Sequence, residues 1–264
     1  MLAVLDALDG EPVTLRELAR RTGLPLTTVH RAVVPLLEWG GVQREAGGLR
    51  LGLRLFELGQ LVPQRAQLRE LALPYMGDLY AATHEVVSLA VLDRTETVYI
   101  EQLSGRLAPP VPSRVGGRLP AHVTAAGKAL LAFAPTAVDA LCAEGLVRHG
   151  PGTIIEPERL RADLASVAER GVAINHEESR QGVLGVAAPV FGADGVPVAA
   201  LALAVARRSR SSPEAMAPAV RTAALALGRA VAASPVLHRA RPPAVSWRSH
   251  VTSEYRTNLS DKSD

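Results

Sequence analysis

Only one cysteine, Cys142, occurs in 264 residues. That excludes an internal disulfide and any cysteine-rich zinc site, and a small buried hydrophobe in a reducing cytoplasm is its expected role. Aromatic residues make up 3% of the chain, too few for a platform that stacks single-stranded bases. Excess charge of one sign is also missing: 29 Lys+Arg against 26 Asp+Glu leave +3. Residues 1–60 hold seven basic and seven acidic side chains, so any nucleic-acid surface must come from local arrangement rather than a basic block. The most apolar window, residues 183–206, is broken by Pro189, Asp194, Gly195 and Pro197, whereas a membrane span needs ~18 or more uninterrupted apolar residues. The start, MLAVLDALDG, has no basic n-region and carries Asp6 and Asp9, which does not fit a signal peptide. The chain reads as soluble, cytoplasmic and free of internal repeats.

Apolar residues supply 48% of the sequence, ample for a core. Residues 1–52 show three short helical patterns and then a hairpin. Leu2, Leu5 and Leu8 mark the first helix. Thr14 and Glu17 form a capping box at the start of the second. The third begins near Pro25 and runs to about Trp39, and VQREAGGLRLG folds about a Gly47-Gly48 turn. A connecting helix is expected over 53–70, interrupted near Gly59 and Pro63, followed by a helix over 71–83. Then come the strand pair VVSLAVLD and ETVYIEQL, a proline-rich loop APPVPS, and the helices TAAGKALLAF and PERLRADLASVAERG. The strands VAIN, GVLGVAAPVF and VPVAALALAV follow, and a helix over 214–233 closes the unit. The fold class is α+β, a mixed sheet covered by helices. The domains are 1–52, the 53–70 connection, 71–238, and a flexible tail over 239–264.

Residues 15–36 match the helix-turn-helix unit. Counting Leu15 as first, the small residue falls at Ala19, the turn glycine at Gly23 and the apolar anchor at Val29. Val29, Ala32, Val33 and Leu36 face inward by helical spacing. Thr27, Thr28, His30 and Arg31 then lie on the outward, N-terminal part that meets base edges in this motif. Arg31 can donate two bonds to guanine, and a threonine methyl can touch the thymine methyl. Arg16, Arg20 and Arg21 before the turn, and Arg44 and Arg50 on the hairpin, are placed for phosphates. A plain structural three-helix bundle accounts less well for the triple match followed by an arginine-bearing hairpin.

In TAAGKALLAF, Thr124 is the N-cap, and the amides of Ala125, Ala126 and Gly127 have no intrahelical acceptor. Their small side chains leave these donors open to an anion. On the residues alone, a capped helix with alanine packing is the simpler account.

TVHRAV, VQREAGGLRLGLRLFELG, LPAHVTAAGKALLAF, GVAINHEES and GVLGVAAPVFGADGVPVAALALAV together resemble the isocitrate-lyase-regulator (IclR) family of bacterial transcription factors, in the right order over about residues 2–233. The resemblance implies a winged helix, a linker helix used in dimerisation, and a C-terminal effector domain related to small-molecule sensor folds. It implies double-stranded operator DNA, a small-molecule effector, and a homodimer or dimer of dimers as partners. The Thr124 helix start then borders the effector site, joined by Asn175, Gly185, Ala202 and Ala204. The last two are serines and Gly185 a cysteine in relatives that bind very small keto acids. The expected effector is therefore a carboxylate with an apolar body, held at the Ala125 and Ala126 amides, supported by Asn175 and meeting no further hydroxyl on the alanine wall. Two departures stand out. Pro35 interrupts the recognition helix, and relatives usually carry residues upstream of the short first helix.

Enzyme motifs fail. Gly127-Lys128 lacks the glycine of a phosphate loop, since His122 stands there, and Ala129 replaces its Ser or Thr. No HExxH or GxSxG occurs. Glu177-Glu178 are adjacent, and adjacent strand residues point to opposite faces. No cofactor or metal is expected. The alternative function is a sensor or enzyme domain whose winged helix serves protein contacts.

Overall fold

The computed structural model describes residues 1–8, 10–105, 111–209 and 212–234. The expected flexible tail and residues 108–110 of the proline-rich loop lie outside the described residues. The chain divides into two units, residues 1–66 and 67–264.

In the first unit, α1 spans Leu2–Asp6, α2 Leu15–Thr22 and α3 Leu26–Glu38. Thr14 Oγ1 accepts from the Glu17 amide at 3.2 Å, half of the predicted capping box. The hairpin pairs β1 (Val42–Glu45) with β2 (Gly48–Leu51). Glu45 faces Gly48 in its register, so the turn residues are Ala46 and Gly47, not Gly47 and Gly48. Gly48 instead opens β2 beside a bridge between Val13 and Leu49. A Cβ there would lie 2.5 Å from the Val13 carbonyl oxygen. Val4, Leu8, Leu18, Val29, Val33, Leu36, Val42 and Leu49 form the core. Of the residues that marked α1 in the sequence, Leu2 is exposed, and Val4 is the buried residue of the helix. Helix α4 (Leu53–Gln60) follows and buries none of its residues.

The connection breaks where Gly59 and Pro63 predicted. Beyond it, however, one helix, α5 (Pro63–Thr83), replaces the expected pair. Pro74 sits inside it on an exposed position. The sheet runs β5-β4-β3-β8-β7-β6, with β3 Val86–Asp93, β4 Glu96–Leu103, β5 Arg118–Pro120, β6 Ala173–His176, β7 Val183–Phe191 and β8 Pro197–Ala206. Every pairing is antiparallel, which corrects the expected mixed sheet. The helices α6 (Ala125–Leu131), α7 (Pro135–Glu144) and α8 (Pro157–Arg170) connect the two edge strands β5 and β6. They do not join neighbouring strands, so no parallel pair arises. Helix α9 (Pro213–Ala232) is capped by Ser212.

Side-chain size differs between the two faces. Val87, Leu89, Val186, Val190, Leu201 and Leu203 pack against Met76 of α5 and Val220 and Leu227 of α9. The alternate residues Ala90, Ala187, Ala200 and Ala202 pack with Ala125, Ala126 and Ala129 of α6 and Val167 of α8. Small side chains on this second face let α6 approach the sheet closely. Cys142, on α7, is half-buried rather than fully enclosed. Among the described residues, no helix is long and apolar enough to cross a membrane.

Candidate functional site

The first unit presents a polar helix face. Gly23 ends α2 at φ +67°, the left-handed conformation that turns the chain into α3 without a Cβ clash. Burial of Val29, Val33 and Leu36 leaves Thr27, Thr28, His30 and Arg31 exposed, as the spacing predicts. Pro35 is accommodated, since α3 continues to Glu38. The arginines differ in what holds them. Arg20 Nη2 and Arg21 Nε reach Glu17 Oε1 at 2.6 and 2.9 Å, and these hydrogen bonds hold the Glu17 carboxyl down at about 2. Arg50 Nη1 pairs with Glu45 at 2.9 Å. Among the described residues, Arg16, Arg31 and Arg44 have no such carboxylate partner.

The second unit holds a cleft between α6 and the small-residue face of the sheet. Asn175, Gly185 and Ala204 are register partners across β6, β7 and β8. Ala187, Ala202 and Ser88 form the next rung on the same face. Thr124, Ala125, Ala126, Asn175, Gly185, Ala202 and Ala204 all line the cavity, so residues far apart in sequence meet as the resemblance implied. Its cavity volume is about 50 Å³, well below the ~300–1,000 Å³ of sites for drug-sized ligands. The cleft is therefore a narrow slot.

Gly127 does not line the cavity. It faces the other way, where a Cβ would lie 2.5 Å from Ala121 Cα and from Thr97 Oγ1. Its amide is taken by Thr124 Oγ1 at 2.9 Å. Thr124 also bonds Thr97 Oγ1 at 3.0 Å, so its side chain is committed within the fold. The amides of Ala125 and Ala126 have no acceptor among the described residues. Asn175 is also more occupied than expected: Nδ2 donates to the Val123 carbonyl at 2.6 Å, and Oδ1 accepts from the Glu178 amide at 3.1 Å.

Sequence reasoning missed the hydroxyls. Ser88, Ser113, Ser179 and Tyr99 also line the cleft, so its far parts are not purely apolar. Burial pushes the Tyr99 phenol up to about 12, which keeps it a neutral donor. The signal for Ser88 was one hydroxyl inside the otherwise apolar run VVSLAV.

Behind the cleft lies a buried charge cluster. Lys128 Nζ donates to Glu178 Oε1 at 2.7 Å and lies 3.0 Å from Asp163 Oδ2. Burial raises the Glu178 carboxyl above its ordinary range, with Lys128 opposing the shift. Glu177 and Glu178 fall beyond β6, in a turn rather than on a strand. Glu177 turns outward to Arg207 at 2.6 Å while Glu178 turns inward. His122 is buried with Nε2 on the Val147 carbonyl at 3.1 Å, and desolvation lowers its pKa and favours the neutral ring. Among the described residues, no group of three metal-ligating side chains comes together.

Comparison with known proteins finds a family match in each unit. The family model for the IclR helix-turn-helix domain matches residues 1–46, and that for the bacterial transcriptional regulator IclR C-terminal matches residues 60–229. The chain is 35% identical over 208 residues to the HTH-type transcriptional regulator XynR of Escherichia coli (76% of this chain, 82% of that protein). It is 32% identical over 207 residues to the HTH-type transcriptional regulator KipR of Bacillus subtilis (77% and 83%). An IclR homolog from Microbacterium hydrocarbonoxydans, solved in complex with 4-hydroxybenzoate, superimposes with a TM-score of 0.80 at 33% identity, covering 88% of this chain and 98% of the other. The chain belongs to the IclR family of bacterial transcriptional regulators, pairing a helix-turn-helix DNA-binding domain with a C-terminal effector-binding domain.

Proposed function

We propose that this regulator is a cytoplasmic, non-enzymatic sensor of an aromatic carboxylate, reading operator DNA through residues 1–52 and the acid through residues 71–238. The observation that carries the effector class is the slot itself. Two unpaired amides, on Ala125 and Ala126, stand at one end, and Gly185, Ala202 and Ala204 form a flat floor beneath. A planar ring fits such a slot and buries apolar area at roughly 25 cal/mol per Å². The serine hydroxyls favour a ring that carries a second polar group, and 4-hydroxybenzoate, found in the Microbacterium relative, has both ends. Helix α6 has only seven residues, so unpaired donors rather than a long dipole attract the carboxylate. Calorimetry with benzoate, 4-hydroxybenzoate, pyruvate and glyoxylate tests this: the aromatic acids bind. Binding by the two small keto acids alone overturns it.

DNA reading is assigned to Thr27, Thr28, His30 and Arg31, with Arg16 and Arg44 on phosphates and Arg20, Arg21 and Arg50 in weaker, carboxylate-shared roles. On an operator selected from randomised duplexes, Arg31→Ala should cost about 1–3 kcal/mol and relax preference at one base pair per half-site. Arg44→Ala should weaken all duplexes alike and flatten the salt slope by about one unit. Equal losses on selected and scrambled DNA for Arg31→Ala refute its base-reading role.

Residues 53–70 are assigned to dimerisation. Leu53, Phe56 and Leu61 are 67%, 63% and 73% exposed, an apolar surface that a partner copy would cover. Sedimentation at micromolar concentration should show a dimer for the wild type and a smaller species for Phe56→Glu. An unchanged sedimentation profile rules out this surface.

A further inference from the structure

Lys128, the largest fully buried side chain among the described residues, does not line the cleft. Neither does Glu178, its 2.7 Å partner. Their pairing nevertheless closes a ring of directional contacts around the cleft's donor end. From Lys128 on α6, the ring passes to the Glu178 carboxylate, then through the Glu178 amide to Asn175 Oδ1 at 3.1 Å. Asn175 Nδ2 then donates to the Val123 carbonyl at 2.6 Å, and Val123 leads directly into Thr124 and the Ala125 and Ala126 amides. The turn carrying Glu178 is fixed from other sides as well. Thr153 Oγ1 donates to the Glu178 carbonyl at 2.6 Å. The preceding Glu177 holds φ +57°, a conformation that a non-glycine residue keeps only when its surroundings enforce it.

A buried ion pair is a poor source of stability, because desolvation offsets its attraction and well-packed apolar residues often do as well. What an apolar pair lacks is direction. We propose that the Lys128–Glu178 pair is a positioning element of the effector site, holding the 175–178 turn against the start of α6 so that an effector carboxylate meets preformed donors. This rests on the reading of the cleft as a carboxylate site. Preforming the donors removes an ordering cost that binding would otherwise meet.

Length and charge separate positioning from simple structural support. Glu178→Asp keeps the charge and shortens the tether by one methylene. Glu178→Gln keeps the length and an acceptor for Lys128 and drops the charge; the raised Glu178 pKa makes that neutral form the milder change. Calorimetric titration with sodium benzoate and sodium 4-hydroxybenzoate should show Glu178→Asp binding roughly tenfold or more weakly, the scale seen when supporting partners of binding groups are removed. Glu178→Gln should stay within about threefold of wild type, since its hydrogen bond survives. The triple variant Lys128→Met/Asp163→Asn/Glu178→Leu, which removes the charges of the cluster together and so leaves none of them unpaired, should fold and bind as weakly as Glu178→Asp. Melting temperatures measured alongside give the second readout: the ranking of affinities should not follow the ranking of stabilities. Wild-type affinity in Glu178→Asp overturns the inference, as does a loss in Glu178→Gln greater than in Glu178→Asp, or affinity that simply tracks melting temperature. If wild-type protein binds neither acid, the carboxylate reading itself fails and this inference falls with it.

Discussion

Gly127→Ala should lower the stability of the effector unit by about 3 kcal/mol, the upper part of the usual overpacking range. Helix propensity alone points the other way, since replacing a mid-helix glycine by alanine gains up to about 1 kcal/mol. Geometry decides between them. The new Cβ would stand 2.5 Å from Ala121 Cα and from Thr97 Oγ1, and closer still to the Ala121 carbonyl oxygen. Two of these atoms are backbone, and Thr97 is fully buried and bonded to Thr124, so none can swing aside. For a unit of this size, a loss of 1 kcal/mol shifts the midpoint by roughly 2–4 °C, so scanning calorimetry should record a drop of about 6–12 °C. Gly77, inside α5, is the internal control: its Cβ would meet nothing within 4 Å. Gly77→Ala should therefore raise the midpoint slightly. Equal effects at the two glycines would show that α6 is not seated as closely as the structure has it.

Periodicity made some of this fold legible and concealed the rest. The strands 86–93 and 96–103 appear at their predicted bounds because their branched and apolar residues end at a sharp turn. The Thr14 cap, half of the capping box, and the left-handed glycine of the helix-turn-helix were also readable, since both are local chemistry. Strand β5 is three residues long and has no room for a pattern. Helix α7 buries only Val138 and Leu141, too little to show a stripe. Pro74 does not break α5, because on an exposed position the missing bond is tolerated. Strand direction was the largest error. It depends on which edges the helical segment connects, and no residue pattern encodes that.

The site divides in the same way. The open amides of Ala125 and Ala126 follow from a capping rule and need no tertiary knowledge. The serines at 88, 113 and 179 come from three separate segments, one strand and two loops, and only the tertiary fold brings them to one cleft. Lys128 was visible as a lone charge in the apolar helix AAGKALL. Its partners were not, because Glu178 lies 50 positions away.

Ala202→Leu should abolish the effector response while leaving operator binding by the free protein unchanged. Ala202 sits on β8 between Ala187 and Ser88, 8% exposed, with its methyl group forming the floor of the slot. The cavity there is only about 50 Å³, and an isobutyl group directed into that space takes the place of the ring. The surrounding strands cannot widen to compensate, since the opposite face of the sheet is packed by Leu201 and Leu203 against α9. Because the leucine enters a cleft rather than a filled core, its cost to folding should stay at or below the ~1–3 kcal/mol of ordinary overpacking. Its effect on binding should be far larger, because the ligand loses its seat entirely. Linkage makes the consequence measurable twice: an acid that changes operator affinity by some factor has its own affinity changed by DNA by that same factor. In Ala202→Leu both factors should collapse to one. Fluorescence anisotropy of labelled operator, with and without the aromatic acid that wild-type protein binds, provides the test. A variant that still shifts operator affinity as wild type does would place the effector somewhere other than on the Ala202 floor.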